Sequence, residues 1–317
     1  MIFKILIPLN VNWPKITKIN MAKNIIYILS FVLILASCGN DSDDTIEGPL
    51  KDNGPVNVEI DPEKINWLIE SFPSPIEMAA TIKDLQVPYT KKNLVPTETV
   101  GDFDSNFEKA LGLGMLSADL GYLNVYGRKN AIIEYLTSIK RLADALDVDQ
   151  FFDFQTLKRL AANSSDLQEL MYLSVTSYHD MDEHLRKTKR SDLSALMITG
   201  VWIEGQYLSA KVNKFKSDKR TEEIIVGQKD ILKELLGVLD FFKNKAHFGK
   251  MNKDFHDLLS LYDNIKITIV EGEDKITMQD SIMVIDPGEH TTIDYTQEDL
   301  NKISNKIIQI RNNLISQ

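Results

Sequence analysis

Two histidines five residues apart, His179 and His184, lie in Tyr178-His179-Asp180-Met181-Asp182-Glu183-His184, a stretch rich in groups able to bind a metal. On a regular helix five residues turn through about 500°, which leaves the two rings some 140° apart, so they would not chelate one ion. A zinc-binding helix sets its histidines four apart, and Glu183 does not occupy that motif's place. The stretch reads as a solvated, charged helix end. His247 and His256 flank Phe248, Met251 and Phe255, with His247 expected near a helix C-terminus, where a cationic ring suits the dipole. His290 sits in the loop-like Gly288-Glu289-His290 without a local partner. No metal site is expected.

Catalytic motifs are equally scarce. The chain has no G-x-S-x-G elbow, no phosphate-binding G-x-x-x-x-G-K-[ST] and no dinucleotide G-x-G-x-x-G after a strand, and Gly112-Leu113-Gly114 stands in a helical context. No catalytic residue and no cofactor is assigned. The most distinctive local composition is Thr199-Gly200-Val201-Trp202-Ile203-Glu204-Gly205-Gln206-Tyr207. A carboxylate inside such an apolar helix needs a partner. Either Glu204 faces water or caps a neighbouring backbone, or it lines a pocket with Trp202, Tyr207 and the glycine-bearing helix around Asp119 and Tyr122.

The elements that would position these residues are helical. Asp61-Pro62-Glu63 reads as a cap, a first-turn proline and a first-turn acid, and Ser74-Pro75-Ile76-Glu77 repeats the device. Pro88 and Pro96 bracket a loop, with Tyr89, Leu94 and Val95 expected to be tacked onto the domain surface. A helix is predicted over 102–126, where Gly112, Gly114 and Gly121 mark close packing or a bend. Amphipathic runs follow at 129–146, 154–163, 165–187, 192–214, 222–243 and 252–264. Ser164-Ser165-Asp166 and Ser191-Asp192 supply cap chemistry. The pattern changes at 265–295, where alternating Ile265, Ile267 and Ile269 suggest a short β-hairpin or an irregular excursion. Thr296-Gln297-Glu298-Asp299 then caps a closing helix. The fold class is all-α, an antiparallel helical bundle or layered helical array, in one domain over 61–317. No 34- or 40-residue repeat supports a solenoid.

Composition narrows the function classes. The 317 residues are 43% hydrophobic, enough for a sizeable core, and carry a formal charge of −10. That charge argues against a nucleic-acid partner, whose binding rests on Lys and Arg. One cysteine excludes an internal disulfide and Cys-based zinc or iron–sulfur sites within the chain.

That cysteine, Cys38, follows Met21-Ala22-Lys23 and an apolar run from Ile25 to Ala36. The order is n-region, h-region and small residues. The run is too short to span about 30 Å of hydrocarbon, which needs ~20 residues. Leu35-Ala36-Ser37-Cys38 resembles a bacterial lipobox. The resemblance implies diacylglyceryl transfer to the Cys38 thiol, cleavage before it and acylation of the new amino terminus, which makes 1–37 a signal peptide. Residues 1–20 are interrupted by Pro8 and Pro14, which favours Met21 as the start of translation; the alternative is a long n-region carrying Lys4, Lys15 and Lys18. Residues 1–37 hold four Lys and no acid, so the chain from Cys38 onward has a formal charge of −14.

Residues 38–60 form a linker with acidic Asp41-Ser42-Asp43-Asp44 near its start. This resembles the surface-export signal of Bacteroidetes lipoproteins and implies an outer-membrane anchor facing the cell exterior; the alternative is a solvated spacer and a periplasmic face. Ser71-Phe72-Pro73-Ser74-Pro75, Ala118-Asp119-Leu120-Gly121-Tyr122, Phe151-Phe152-Asp153-Phe154 and Thr199-Gly200-Val201-Trp202 resemble an uncharacterised, helix-rich Bacteroidetes lipoprotein family. That resemblance implies an envelope location and an all-α fold, and no activity. The leading expectation is a lipid-anchored domain that binds a ligand or envelope protein, with the membrane reached through its anchor. The alternatives are an envelope enzyme, such as a glycan hydrolase with paired carboxylates, and a structural envelope protein with a large apolar patch.

Overall fold

Helix α3, Asn106–Val125, lies at the centre of the fold and shows how local sequence sets its ends. Ser105 accepts from the Glu108 amide at 3.2 Å while Glu108 accepts from the Ser105 amide at 2.8 Å, a reciprocal capping box. At the far end Gly127 adopts φ +62°, and the Arg128 amide reaches back to Leu123 O at 3.0 Å. Glycine makes that left-handed stop cheap.

The computed structural model describes residues 62–71, 75–162, 167–270, 272, 275–279, 282–286 and 290–316, together with a strand at 5–7. Cys38, the acidic stretch after it and the expected caps at Asp61, Ser74 and 164–166 lie outside the described residues. Two units are distinguished. The larger spans 57–273 and 288–317, and the smaller 2–56 and 274–287.

In the larger unit α1 (Pro62–Ser71) and α2 (Pro75–Asp84) precede two 3-10 turns at Lys91–Asn93 and Thr97–Asp102. After α3 come α4 (Lys129–Ala145), α5 (Phe154–Ala162), α6 (Leu167–Lys187) and α7 (Ser191–Phe215). Then follow α8 (Lys219–Val226), α9 (Lys229–Leu239), α10 (Phe248–Ser260) and α11 (Gln297–Ile315). The architecture is all-α, with a small strand excursion in place of a helix near 265–295. There β2 (Lys266–Val270) pairs antiparallel with β5 (His290–Asp294), Lys266 opposite Asp294 and Val270 opposite His290. His290, expected in a loop, is therefore a strand residue. In the smaller unit β1 (Ile5–Ile7), β4 (Ile282–Asp286) and β3 (Lys275–Gln279) form a sheet in the order β1-β4-β3.

Apolar spacing accounts for the helix faces. In α4, Ile132, Leu136, Ile139 and Leu142 are buried in one stripe, and each such side chain contributes roughly 1.5–3 kcal/mol over its exposed state. The single run expected over 222–243 is two helices instead. The chain turns at Gly227-Gln228, so that Ile225 and Val226 of α8 and Leu232, Leu235 and Leu236 of α9 all reach the core. His247 does not end a helix: it precedes α10 as its N-cap with φ 70°, because residues 243–247 form a turn. The cap of α7 is Arg190 rather than the expected Ser191-Asp192 pair.

Helices α3 and α7 meet more closely than side chains would allow. A Cβ on Gly114 would stand 2.1 Å from Met197 O, and one on Gly200 would stand 2.2 Å from Leu111 O. The two backbones touch there. Contacts advance together along both helices, from Gly114 with Gly200 to Asp119 with Glu204, so this central pair runs parallel. The pair α7 and α11 runs the other way, with Glu204 on Arg311 and Lys214 on Asn305.

Candidate functional site

The carboxylate singled out by its apolar helix, Glu204, is fully buried and has the partner such a group needs. Arg311 of α11 donates from Nε and NH2 to the two Glu204 oxygens, each at 2.8 Å. The guanidinium also reaches Asn93 O at 3.4 Å and stacks 4.1 Å from the centre of the Tyr207 ring. Bidentate pairing, a carbonyl and an aromatic face suit arginine's flat, forked group better than lysine's point charge.

Asp119 is the second carboxyl in this place. Its Oδ2 accepts from the Val95 amide at 2.8 Å, and its buried Oδ1 has no hydrogen-bond partner among the described residues. Glu204 lies close enough for its charge to act on this carboxyl. A carboxyl beside a second carboxyl is harder to ionise, and a neighbouring arginine works the other way. Burial, and then the charge of Glu204, push the Asp119 carboxyl well above the usual carboxylate range, against the pull of Arg311 and the Val95 amide. Burial opposes the charge on Arg311, yet Glu204 holds its pKa above the ordinary arginine value. Two carboxyls and one guanidinium thus share this interior, where burial favours the protonated form of Asp119.

Tyrosines surround it. Tyr135 of α4 donates to Val95 O at 2.5 Å. Tyr122 accepts from the Thr90 amide at 3.4 Å, and Tyr126 donates to Val87 O at 2.6 Å. Tyr122 packs 4.7 Å from Tyr126 and 5.9 Å from Tyr89, whose ring lies under Arg128 at 4.4 Å. Burial raises the pKa of Tyr122, Tyr135 and Tyr207, keeping all three neutral.

Four of the five residues expected to share a pocket, Asp119, Tyr122, Glu204 and Tyr207, therefore do come together. The fifth, Trp202, faces elsewhere, donating to Gln228 Oε1 at 2.9 Å and packing against Phe255. Glu204, Arg311 and Tyr207 engage one another directly, and Asp119 engages the Val95 amide. A neighbouring recess lined by Met78, Ala79, Ile82, Ala118, Gly205 and Leu208 is apolar and too small for a water molecule. Glycosidase carboxyls stand on opposite sides of a sugar, about 5–10 Å apart; Asp119 and Glu204 are instead both fully buried, with Glu204 paired to Arg311.

Arg311 is the residue that sequence reasoning missed. Its signal was available: it falls four residues after Ile307 and eight after Ile303, inside the buried stripe of α11. A charge in such a stripe asks for an opposite charge elsewhere.

The histidines do not converge. His179 is exposed and His184 packs 5.1 Å from Phe151, while the buried group in that stretch is Asp182, which accepts from Ser194 at 2.5 Å and Arg186 at 2.8 Å. His256 bonds Asp240 at 3.0 Å on the surface. Among the described residues no three His, Cys, Asp or Glu side chains could hold a metal ion, and no helix is long and apolar enough to cross a membrane. Comparison with known proteins finds no matching family model, no matching curated protein and no matching solved structure.

Proposed function

We propose that this chain is a lipid-anchored protein of the bacterial outer membrane, held through Cys38 and displayed on the cell surface, whose helical domain binds a partner through its outer face. The observation that carries the anchor is Leu35-Ala36-Ser37-Cys38 at the end of an apolar run too short to span a bilayer. Lipidation also gives the one cysteine a purpose, and more than one acyl chain holds a protein at a membrane stably. Recognition through the outer face is supported by the interior: the carboxyls and aromatics that could have lined a ligand pocket are occupied with one another. Exposed aromatics, among them Trp67, Tyr172 and Phe215, offer contact area of the kind partners use.

Detergent phase separation tests the anchor. The wild-type chain is expected in the detergent phase and Cys38→Ser in the aqueous phase; continued detergent partition of Cys38→Ser would reject the anchor. Deleting Asp41–Asp44 and digesting intact cells with protease reads the orientation. Wild-type chain should be cut and the deletion protected, whereas protection of both points to the periplasmic face.

A further inference from the structure

In the smaller unit β4 is the middle strand, with β1 along one of its sides and β3 along the other. The β1 pairing is antiparallel, Ile5 opposite Ile285, Leu6 opposite Val284 and Ile7 opposite Met283. The β3 pairing runs the whole length of β4, from Gln279 opposite Ile282 to Lys275 opposite Asp286. Under the proposed anchoring at Cys38 residues 1–37 are cut away, and a start at Met21 removes 1–20 by itself, so by either route the mature chain lacks β1. What stays is a hairpin of β3 and β4 with one side of β4 unpaired. A two-stranded hairpin alone is marginal in water, and an unpaired edge is a template for another strand. The two edges of this hairpin differ in kind. Strand β3 reads Lys275-Ile276-Thr277-Met278-Gln279, polar at alternate positions and opened by a lysine, the residue that blunts edges. Strand β4 reads Ile282-Met283-Val284-Ile285-Asp286, four apolar residues in a row with neither lysine nor proline.

We propose that β4 of the mature chain pairs antiparallel with β4 of a second copy, joining two molecules through one continuous sheet in the order β3-β4-β4-β3. The strand is self-complementary. Val284 is the middle of its five residues, so the register that sets Val284 opposite Val284 pairs the whole strand, with Met283 opposite Ile285 and Ile282 opposite Asp286. The central pairs are apolar against apolar, as are the pairs that β1 makes with the same three residues. Asp286 meets Ile282 rather than a second Asp286, so no like charges are directly opposed. Two copies of one strand related by a two-fold axis normal to the sheet run antiparallel, which is the direction β1 takes on this edge. The joined sheet has more than the three strands that independent stability needs. Pro287, the next residue, has no amide hydrogen with which to extend the ladder past Asp286. The inference rests on the reading that the mature chain lacks residues 1–20, and it holds with or without lipid on Cys38.

Crosslinking tests the pairing on the chain started at Met21, which lacks β1 whatever happens at Cys38. Val284→Cys sets two thiols opposite each other with Cα atoms about 4.5–5.5 Å apart, within the ~7 Å reach of a disulfide. Mild oxidation should convert most of this chain to a covalent dimer on a non-reducing gel. Thr277 lies opposite Val284 inside the hairpin, so its two copies stand about three strand spacings apart, ~14 Å. Thr277→Cys should therefore stay monomeric, and because it also keeps Cys38 it controls for crosslinks through that thiol. Val284→Lys and Val284→Asp, each alone, set like charges across the axis and should sediment as monomers. Mixing the two should restore the dimer, which chains that had failed to fold could not do. A monomeric wild-type chain, equal crosslinking of the two cysteine variants, or a mixture that stays monomeric overturns the pairing. Intact mass of the protein taken from its own cells tests the premise separately: a mature chain still carrying residues 1–20 overturns the proposal through that reading and not through the edge.

Discussion

Arg311 and Glu204 stand 107 residues apart in the chain and meet through two 2.8 Å hydrogen bonds, with both side chains almost fully out of solvent. The pair fastens α11 to α7. Its members depend on each other more than the fold depends on the pair. Arg311→Met should lower stability by roughly 3–5 kcal/mol, because it strands a buried carboxylate, whereas Glu204→Leu combined with Arg311→Met should recover most of that loss. Urea denaturation of the two variants checks it, and a double variant no better than the single one would contradict it.

Protonation should shape stability from both sides. Asp119 has its folded pKa raised, so its contribution is complete below the unfolded value near 3.9 and is lost as pH rises through the folded value. Glu222 behaves oppositely. Burial works to raise it, but hydrogen bonds from Ser217, Tyr295 and Gln297 together leave it lowered, so its contribution holds above the unfolded value near 4.3 and fades as pH falls through the folded one. Thermal melts across pH should lose, in Asp119→Asn, the decline that sets in as pH rises above about 3.9, and soften the acid decline in Glu222→Gln.

The α3–α7 contact should reject even one methyl group. Gly114→Ala and Gly200→Ala each aim a Cβ at a carbonyl oxygen about 2 Å away, and overpacking of this kind costs about 1–3 kcal/mol or more. Gly237 in α9 has nothing within 4 Å of its would-be Cβ, so Gly237→Ala should stabilise by about 0.5–1 kcal/mol through helix propensity. Chemical denaturation of the three variants should order them accordingly.

Ser105→Ala removes the reciprocal cap of α3 and should cost about 1 kcal/mol, with Ser105→Gly milder. Equal stability of wild type and Ser105→Ala would show that the cap is idle.

Local signals in the chain carried the helices well. Thr296 and Asp299 do form a capping box, and Gly114, one of the three glycines of α3, does mark a close helix approach. Each rests on interactions within a few residues or on a stripe repeated along one element. The candidate site was half legible. Glu204 announced the need for a partner, but a need does not name its answer, and Arg311 lies too far along the chain for spacing to reveal it. Val95 was expected near the surface, yet it is fully buried. Its depth depends on Asp119 and Tyr135 satisfying its amide and carbonyl, which is a tertiary fact. The turn at Gly227-Gln228 was hidden for a similar reason: Gln228 is held by Trp202, from an earlier helix.

The bare contact between Gly114 and Gly200 also sets an order of assembly. The two glycines are separated by eighty-odd residues, and α4, α5 and α6 all lie in the loop they close. Closing such a loop has an entropy cost that local helix hairpins do not share, and contacts of high sequence separation slow folding. The α3–α4 and α6–α7 hairpins can therefore form while the chain is still open. The step that makes them one body is the meeting of two glycines that offer no side chain to guide it.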